Sequence, residues 1–245
     1  MAELLLLRHS VTRGNLEGRY IGSRTDEPLC GEGIRLLVHK SYPAVNWIYV
    51  SPMKRCVETA QLLWGEKGQE NIQEGNFSGM GAGHNDLNRK IPMTLVPEFR
   101  ECDFGEFENH NYQELNGNPS YQAWIDSGGT LPFPGGESAE QFKRRCREGF
   151  QRVVSEILRQ EEQVFRNEEN VSGTEPGKTE DLKYGRRKRA TFRVALVVHG
   201  GTIMAILEYF GFPKREYFDY QVKNGCGYVL TPVEGTDLWN YQCLS

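Results

Sequence analysis

Two short apolar runs, far apart in the chain, have the pattern of strands buried on both faces. The first covers residues 4–7 and leads into Arg8 and His9, and the second covers residues 194–198 and leads into His199. Apolar runs of this length, bounded by turn signals, are typical of strands inside a parallel sheet. Because ligands bind at the carboxyl ends of such strands, the pattern predicts that both histidines lie at one edge of the sheet.

The remaining pattern alternates between helices and strands. Further strands are predicted at about 45–50, 94–97, 227–231 and 238–243. Helices are predicted at about 34–40, 51–64, within 112–127, from 138 to about 157, and at 202–210. Ser51 is expected to be an N-cap with Pro52 at the first helical position, and Ser138 with Gln141 fits a capping box. The alternation predicts one α/β domain over residues 1–245 with a mostly parallel sheet.

Two stretches lack apolar periodicity. Residues 66–92 are polar and rich in glycine and asparagine, which predicts a long loop. Residues 160–191 mix acidic and small polar residues and then carry four basic residues at 186–189. Such a segment buries little apolar surface, so we expect a polar surface insertion. The basic run also fits a nuclear signal or a nucleic-acid patch, but a solvated loop is the preferred interpretation.

Composition narrows the class of protein. The chain is 38% hydrophobic and 25% charged, with a formal net charge of −4. This balance gives no general attraction to nucleic acid or to acidic membranes, and no apolar run is long enough to span a bilayer. The six cysteines form no CxxC pair and no metal-ligand spacing, so we expect reduced thiols in a cytoplasmic protein, although the sequence leaves one disulfide open. The oligomeric state is not predicted.

Arg8 and His9 are the first candidates for chemistry. Arginine presents a planar fork of donors that matches phosphate oxygens, and neutral histidine can act as a covalent nucleophile. Taken alone, an Arg-His pair is in most cases an arginine at a sheet edge beside a buried, satisfied imidazole. Thr12 and Asn15 follow on the next loop and add hydroxyl and amide groups.

Three later positions strengthen the chemical interpretation. Arg55 is predicted on the first turn of a helix, where anions are favoured, although a surface salt bridge is an alternative. Glu101 lies among aromatic residues that can raise a carboxyl pKa, although a pairing with Arg100 or Arg144 is an alternative. His199 precedes Gly200 and a second glycine, which permit close approach to a ligand.

Six motifs occur in the order in which one protein family carries them. They are Arg8-His9-Ser10-Val11-Thr12 with Asn15, Gly22 to Leu29 with Gly33, Ser51-Pro52 with Arg55, Thr59 and Ala60, Glu101 to Gly105, Pro134 to Ser138, and His199-Gly200-Gly201. Over nearly the whole chain this set resembles the histidine phosphatase superfamily, in the branch of phosphoglycerate-mutase-like and alpha-ribazole-phosphatase-like proteins. The resemblance implies a three-layer α/β/α sandwich of the phosphoglycerate-mutase type.

The resemblance also implies roles. His9 would become a phosphohistidine, and Glu101 would protonate the leaving oxygen and then help to activate water. The phosphoryl group would be held by a set of donors: Arg8, Asn15, Arg55, His199 and Gly200. No metal or cofactor is implied, and the partner would be a small phosphate ester. The implied activity is that of a metal-independent phosphomonoesterase, with alpha-ribazole 5′-phosphate as one candidate substrate.

Two alternatives stay open at this point. One is a cofactor-dependent phosphoglycerate mutase that uses the same phosphohistidine. The other is a catalytically inactive phosphate-binding module. Its support is Ser10, which stands where the family usually has glycine and could crowd the pocket or donate an extra hydrogen bond. Val11 and Gly14 also depart from the family pattern, so the substrate preference of this loop is open.

Overall fold

A computed structural model of the chain describes residues 2–65, 91–171 and 191–244. The loop predicted at 66–92 lies almost wholly outside these residues. The basic run at 186–189 also lies outside them.

Seven strands of the described chain form one sheet. They are β1 (Glu3–Arg8), β2 (Trp47–Val50), β3 (Met93–Leu95), β4 (Arg193–Val198), β5 (Gly211–Phe212), β6 (Gly227–Pro232) and β7 (Trp239–Leu244). Their order across the sheet is β3-β2-β4-β1-β6-β7-β5. The first four strands in this order are mutually parallel, and β6 runs antiparallel to both of its neighbours. The mostly parallel sheet predicted from the sequence is confirmed.

Helices cover both faces of this sheet. They are α1 (Arg13–Leu16), α2 (Gly31–Val38), α3 (Lys54–Trp64), α4 (Pro119–Asp126), α5 (Ala139–Val171) and α6 (Gly200–Phe210). On one face, Leu4 and Leu6 of β1 share a buried cluster with residues of α5 and α6. On the other face, Leu5 and Leu7 share a cluster with residues of α2 and α3. Successive strand residues point to opposite faces, so a strand covered on both sides is apolar throughout. The three-layer α/β/α sandwich is confirmed.

A third buried cluster lies beside α5 and α6 and is formed largely by irregular chain. Its buried members are Cys102, Phe107, Leu115, Phe133, Phe142, Cys146 and Ala205. Aromatic rings pack edge to face in it, with the Tyr20 and Phe104 centroids 5.4 Å apart and those of Phe104 and Phe133 5.0 Å apart. Such pairs stabilise an arrangement beyond simple burial of area. The cluster gives the segment between Glu101 and α5 a core, although the helical structure of that segment is limited to the 3-10 turn Gly105–Phe107 and α4.

Several predicted boundaries differ from the observed ones. Ser51 is not an N-cap: α3 begins at Lys54, its N-cap is Met53, and the Ser51 hydroxyl lies within hydrogen-bonding distance of His199 instead. The helix expected at 34–40 begins three residues earlier, at Gly31. The capping box of Ser138 and Gln141 is present as predicted.

The polar segment at 160–191 is partly corrected. Helix α5 continues through Val171, so the beginning of this segment is helical rather than loop. Glu161 is buried within that helix. The remainder, residues 172–190, lies outside the described chain, and the expected surface insertion stays a prediction there.

Candidate active site

The two histidines meet because of the register between their strands. In the parallel pair of β1 and β4, Arg8 lies opposite Val198, so the next residues leave the sheet at the same level. Their imidazole centroids are 5.1 Å apart, with an interplanar angle of 66°. The structure therefore brings His9 and His199 to one site at the carboxyl edge of the sheet.

The protonation of His9 follows from one contact. Its Nδ1 lies 2.6 Å from the backbone carbonyl oxygen of Ser10. A carbonyl oxygen only accepts, so Nδ1 carries the proton and Nε2 keeps a free electron pair. Burial, together with the positive charges of Arg55 and Arg8, lowers the pKa of His9 well below its ordinary value. The ring is therefore neutral near pH 7, with Nε2 as its basic atom.

His199 is held from the opposite direction. Its Nε2 lies 2.8 Å from the Ser51 hydroxyl, and the buried Cys56 sulfur is 3.6 Å from the same nitrogen. Its Nδ1 lies 3.8 Å from a carboxylate oxygen of Glu101. Burial lowers the pKa of His199 well below its ordinary value, and nearby Arg55 lowers it further. The Nδ1 edge is thus the edge that faces Glu101.

The Arg8 guanidinium has a hydrogen-bond partner for Nη1 but none for Nε among the described residues. Its Nη1 donates to the carbonyl oxygen of Val222 at 2.8 Å. Its Nε is buried and has no hydrogen-bond partner among the described residues. A Cβ added to Gly200 would lie 3.3 Å from this Nε, so glycine at that position leaves the space beside the Arg8 guanidinium open. Gly200 also begins α6, whose first backbone N–H groups have no partner within the helix.

Arg55 shows the same arrangement, and the surface salt bridge considered for it is wrong. The residue is fully buried. Its terminal nitrogens donate to the carbonyls of Thr25 and Gly22 at 3.0 and 3.1 Å. Its Nε is buried and has no hydrogen-bond partner in the described chain. No carboxylate of the described residues lies within ion-pair distance of Arg55. A buried cation without a counter-ion is costly, so this site favours an anion.

Glu101 lies across from these cations. Its side chain is 13% exposed, and its Oε1 accepts the Cys102 N–H at 2.9 Å. Burial raises the pKa of Glu101 despite the opposing effects of that hydrogen bond and of nearby arginines. A Cβ on Gly201 would lie 3.1 Å from the carboxylate, so the second glycine gives Glu101 its space. The pairing with Arg100 or Arg144 is not formed among the described residues.

A late loop orients Asn15, and sequence reasoning did not identify it. The Asn224 amide nitrogen lies 3.1 Å from Asn15 Oδ1, 3.1 Å from the His9 carbonyl oxygen and 3.3 Å from that of Ser10. Asn15 Oδ1 also accepts the Thr12 N–H at 3.2 Å. Its carbonyl end is therefore occupied, which leaves its NH₂ to donate elsewhere. In the sequence, Asn224 and Gly225 indicate only a turn. Nothing in the sequence indicates that the Val222 carbonyl binds Arg8.

Ser10 does not crowd the site. Its hydroxyl donates to the Gly33 carbonyl oxygen at 2.7 Å, and its backbone N–H donates to the Thr59 hydroxyl at 3.0 Å. The side chain thus ties the loop after β1 to α2. Of the two effects considered for Ser10, the structure contains the extra hydrogen bond.

Other features of the described residues bear on the class of site. They contain no group of three or more histidine, cysteine, aspartate or glutamate side chains that could hold a metal ion. All six cysteines are described, and each is a free thiol. None of the helices in the described ranges has the length and apolar character that crossing a bilayer needs.

Comparison with known proteins places the chain in a family. The family model of the histidine phosphatase superfamily (branch 1) matches residues 4–87 and 82–165. The chain belongs to this superfamily.

A curated relative is the adenosylcobalamin/alpha-ribazole phosphatase of Escherichia coli (strain K12). It is 24% identical over 148 residues, which span 58% of this chain but only 62% of the relative's own length. Among solved structures, the alpha-ribazole phosphatase from Shigella flexneri has a TM-score of 0.66 at 19% identity, covering 99% of this chain and 95% of that one. The phosphoglycerate mutase from Thermus thermophilus has a TM-score of 0.51 at 23% identity, covering 97% and 95%. At these identities the two structures show a shared fold.

Proposed function

We propose that this chain is a phosphomonoesterase that works through a phosphohistidine intermediate on His9. The observation that carries the proposal is the pair of buried guanidinium Nε atoms on Arg8 and Arg55. Neither has a hydrogen-bond partner in the described chain. Both arginines act electrostatically on His9 and His199. Charge-assisted donors around a basic imidazole nitrogen suit a phosphoryl group.

In the first step, the His9 Nε2 electron pair attacks phosphorus as the bond to the leaving oxygen breaks. Glu101, whose raised pKa favours its protonated form, gives its proton to that oxygen. The transferred group is held by Arg8 and Arg55, by the Asn15 amide, by the Gly200 N–H and by His199. If the Ser51 hydroxyl donates to His199 Nε2, the ring proton is on Nδ1 and can reach a phosphoryl oxygen.

In the second step, water attacks the phosphohistidine. The Glu101 carboxylate accepts a proton from that water, the P–N bond breaks, and inorganic phosphate leaves with His9 restored. Each group required is present on the chain itself, so the reaction as written needs no metal or cofactor. This remains a prediction, which hydrolysis in the presence of a chelator would test.

For the substrate we propose a small phosphorylated metabolite, with alpha-ribazole 5′-phosphate as the candidate. Its support is the name of the Escherichia coli relative and of the Shigella flexneri structure. The proposal keeps the cytoplasm as the location, in line with six free thiols.

The test is a hydrolysis assay without added metal, using an aryl phosphate and a panel of phosphorylated metabolites that includes alpha-ribazole 5′-phosphate. We expect turnover with EDTA present, an acid-labile phosphoenzyme, and competitive inhibition by inorganic phosphate bound between His9 and His199. Absence of hydrolysis would favour an inactive binding module. Phosphate exchange between 3-phosphoglycerate and 2,3-bisphosphoglycerate that outpaces hydrolysis would favour a mutase.

A further inference from the structure

Arg145 lies on α5 and differs from the two arginines of the phosphate site because its donors are all used. It makes five hydrogen bonds within the described chain. Two go to the carboxylate of Glu137, at 2.8 and 2.7 Å. Three go to backbone carbonyl oxygens, those of Glu98 and Arg100 at 2.7 Å and that of Glu101 at 3.0 Å. One guanidinium therefore holds the backbone on which Glu101 stands.

Glu137 extends this contact to the other side of Glu101. Its backbone N–H donates to the Asp103 carbonyl oxygen at 2.9 Å, and its carboxylate accepts the Asp103 N–H at 3.4 Å. The side chains of Glu137 and Arg145 are each 12% exposed. A bidentate pair shielded from water is more rigid than a surface ion pair.

The backbone held in this way has little regular structure of its own. Residues 100–104 form neither helix nor strand, and the 3-10 turn before them ends at Phe99. Without a strand ladder, the carbonyls of Arg100 and Glu101 depend on a side chain for their hydrogen bonds. Their donor is Arg145.

We propose that the Arg145–Glu137 pair is a positioning device that aims the Glu101 carboxyl group at the leaving oxygen. The inference rests on the proposed function, since it assigns a purpose to Glu101 as proton donor. Neither Arg145 nor Glu137 transfers a proton or touches the phosphoryl group. Their positioning effect is exerted through Glu101, while the Arg145 charge also lowers the pKa of Glu101 and of His199.

This division of labour has a kinetic signature in kcat/KM, which covers the steps up to formation of the phosphohistidine. An alkoxide is a poor leaving group and needs the proton, whereas a nitrophenolate leaves without it. Loss of aim at Glu101 should therefore lower kcat/KM for glycerol phosphate much more than for para-nitrophenyl phosphate. General loss of structure should lower both by the same factor.

The experiment measures kcat/KM for glycerol phosphate divided by kcat/KM for para-nitrophenyl phosphate. This ratio is determined for Arg145→Met and Glu137→Gln in the full chain. Both esters are assayed on one sample, so the ratio is independent of the fraction that is folded. We expect the ratio to fall on the order of 10- to 100-fold, the effect of slight misplacement of a reacting group. The matched control is Arg152→Met. It removes an ion pair between the same helix and the Glu98 carboxylate at 2.8 Å, and it should leave the ratio unchanged.

A double variant separates positioning from an independent contribution. If Arg145 acts through Glu101, Arg145→Met adds nothing to the ratio already lost in Glu101→Gln. Equal losses on both esters in Arg145→Met, or a further fall of the ratio in the double variant, would overturn the proposal. Failure of the proposed function has a different outcome: the wild-type chain hydrolyses neither ester, or Glu101→Gln itself leaves the ratio unchanged.

Discussion

The two sides of the candidate active site are held in different ways. His9 and His199 follow neighbouring parallel strands, and a ladder of backbone hydrogen bonds sets them at one level. Glu101 stands on irregular chain whose carbonyls are held by the side chain of Arg145. The histidines are positioned mainly by the sheet, and Glu101 is positioned by the side-chain pair of Arg145 and Glu137.

This difference separates two kinds of sensitivity. A backbone ladder survives almost any single substitution, whereas a side-chain tether is lost with one residue. In the proposed mechanism, the histidine side serves every phosphate ester, because each must bind and accept attack in the same place. The Glu101 side then serves only esters whose leaving group needs a proton. Substitutions on the two sides should therefore be distinguishable by comparing leaving groups.

The largest effect is expected from His9→Ala. Without the nucleophile no phosphohistidine forms, and kcat/KM should fall on the order of 10⁴- to 10⁶-fold on alkyl and aryl esters alike. The measurement is steady-state hydrolysis together with acid quench for labile phosphoenzyme. His39→Ala is the matched control, since His39 is exposed at the end of α2. Residual phosphoenzyme in His9→Ala would mean that another side chain accepts the phosphoryl group.

Glu101→Gln should lower kcat/KM by different factors for the alkyl and the aryl ester. The amide keeps the size of the carboxyl group but has no transferable proton, so kcat/KM for an alkyl phosphate should fall about 10²- to 10⁴-fold. For an aryl phosphate with an acidic phenol the fall should be slight. Glu106→Gln, at an exposed carboxylate in the same segment, is the control. Equal losses on both esters would transfer the acid role to another carboxylate, namely Asp103, Glu106 or Glu108, of which the control variant already tests Glu106.

The pH dependence of kcat/KM should also differ between the alkyl and the aryl ester. Burial raises the pKa of Glu101 above its ordinary 4.5, although the Cys102 N–H and three nearby arginines oppose the shift. As pH rises through that raised pKa the proton is lost, so kcat/KM for the alkyl ester should fall by up to about tenfold per pH unit. The aryl ester should lack this limb, as should Glu101→Gln with either ester. His9, whose pKa is lowered, stays neutral throughout. An unchanged limb in Glu101→Gln would contradict the assignment.

Asn224→Ala should act on the histidine side. It removes an amide that contacts the carbonyl oxygens of His9 and Ser10 and the side chain of Asn15. Misorientation of these groups should lower kcat/KM on the order of 10- to 100-fold, by the same factor for both esters. The control is Asn116→Ala, at an exposed position. A selective loss on the alkyl ester would break the division between the two sides.

Ser10→Ala should have the smallest effect on activity. It removes the buried hydroxyl donor to the Gly33 carbonyl, which costs about 1–3 kcal/mol of unfolding free energy. The midpoint of thermal unfolding should fall roughly 2–4 °C for each kcal/mol in a domain of this size. We expect kcat/KM to change less than the stability. A large kinetic loss with an unchanged midpoint would give Ser10 a role in the phosphate site.

The same division explains what the sequence could predict. Apolar runs ending in His9 and His199 predict buried parallel strands and a shared edge, because every residue of a strand that is covered on both faces is apolar. The contacts of Arg145 have no comparable sequence pattern, since three of its five hydrogen bonds go to backbone carbonyl oxygens, which every residue has. The local pattern of a serine before proline predicts a helix cap for the Ser51 hydroxyl, and only the tertiary structure reveals His199 beside it.

The contact between His9 and Asn224 spans 215 positions of the chain. His9, the proposed nucleophile, therefore gains its Asn224 contact only after β4, α6 and the loop before β6 have been synthesised. Contacts of such long range form late and slowly during folding. In the proposed mechanism, a nascent chain emerging from the ribosome would accordingly carry an unassembled site until most of the sheet is complete, which ties activity to a finished fold.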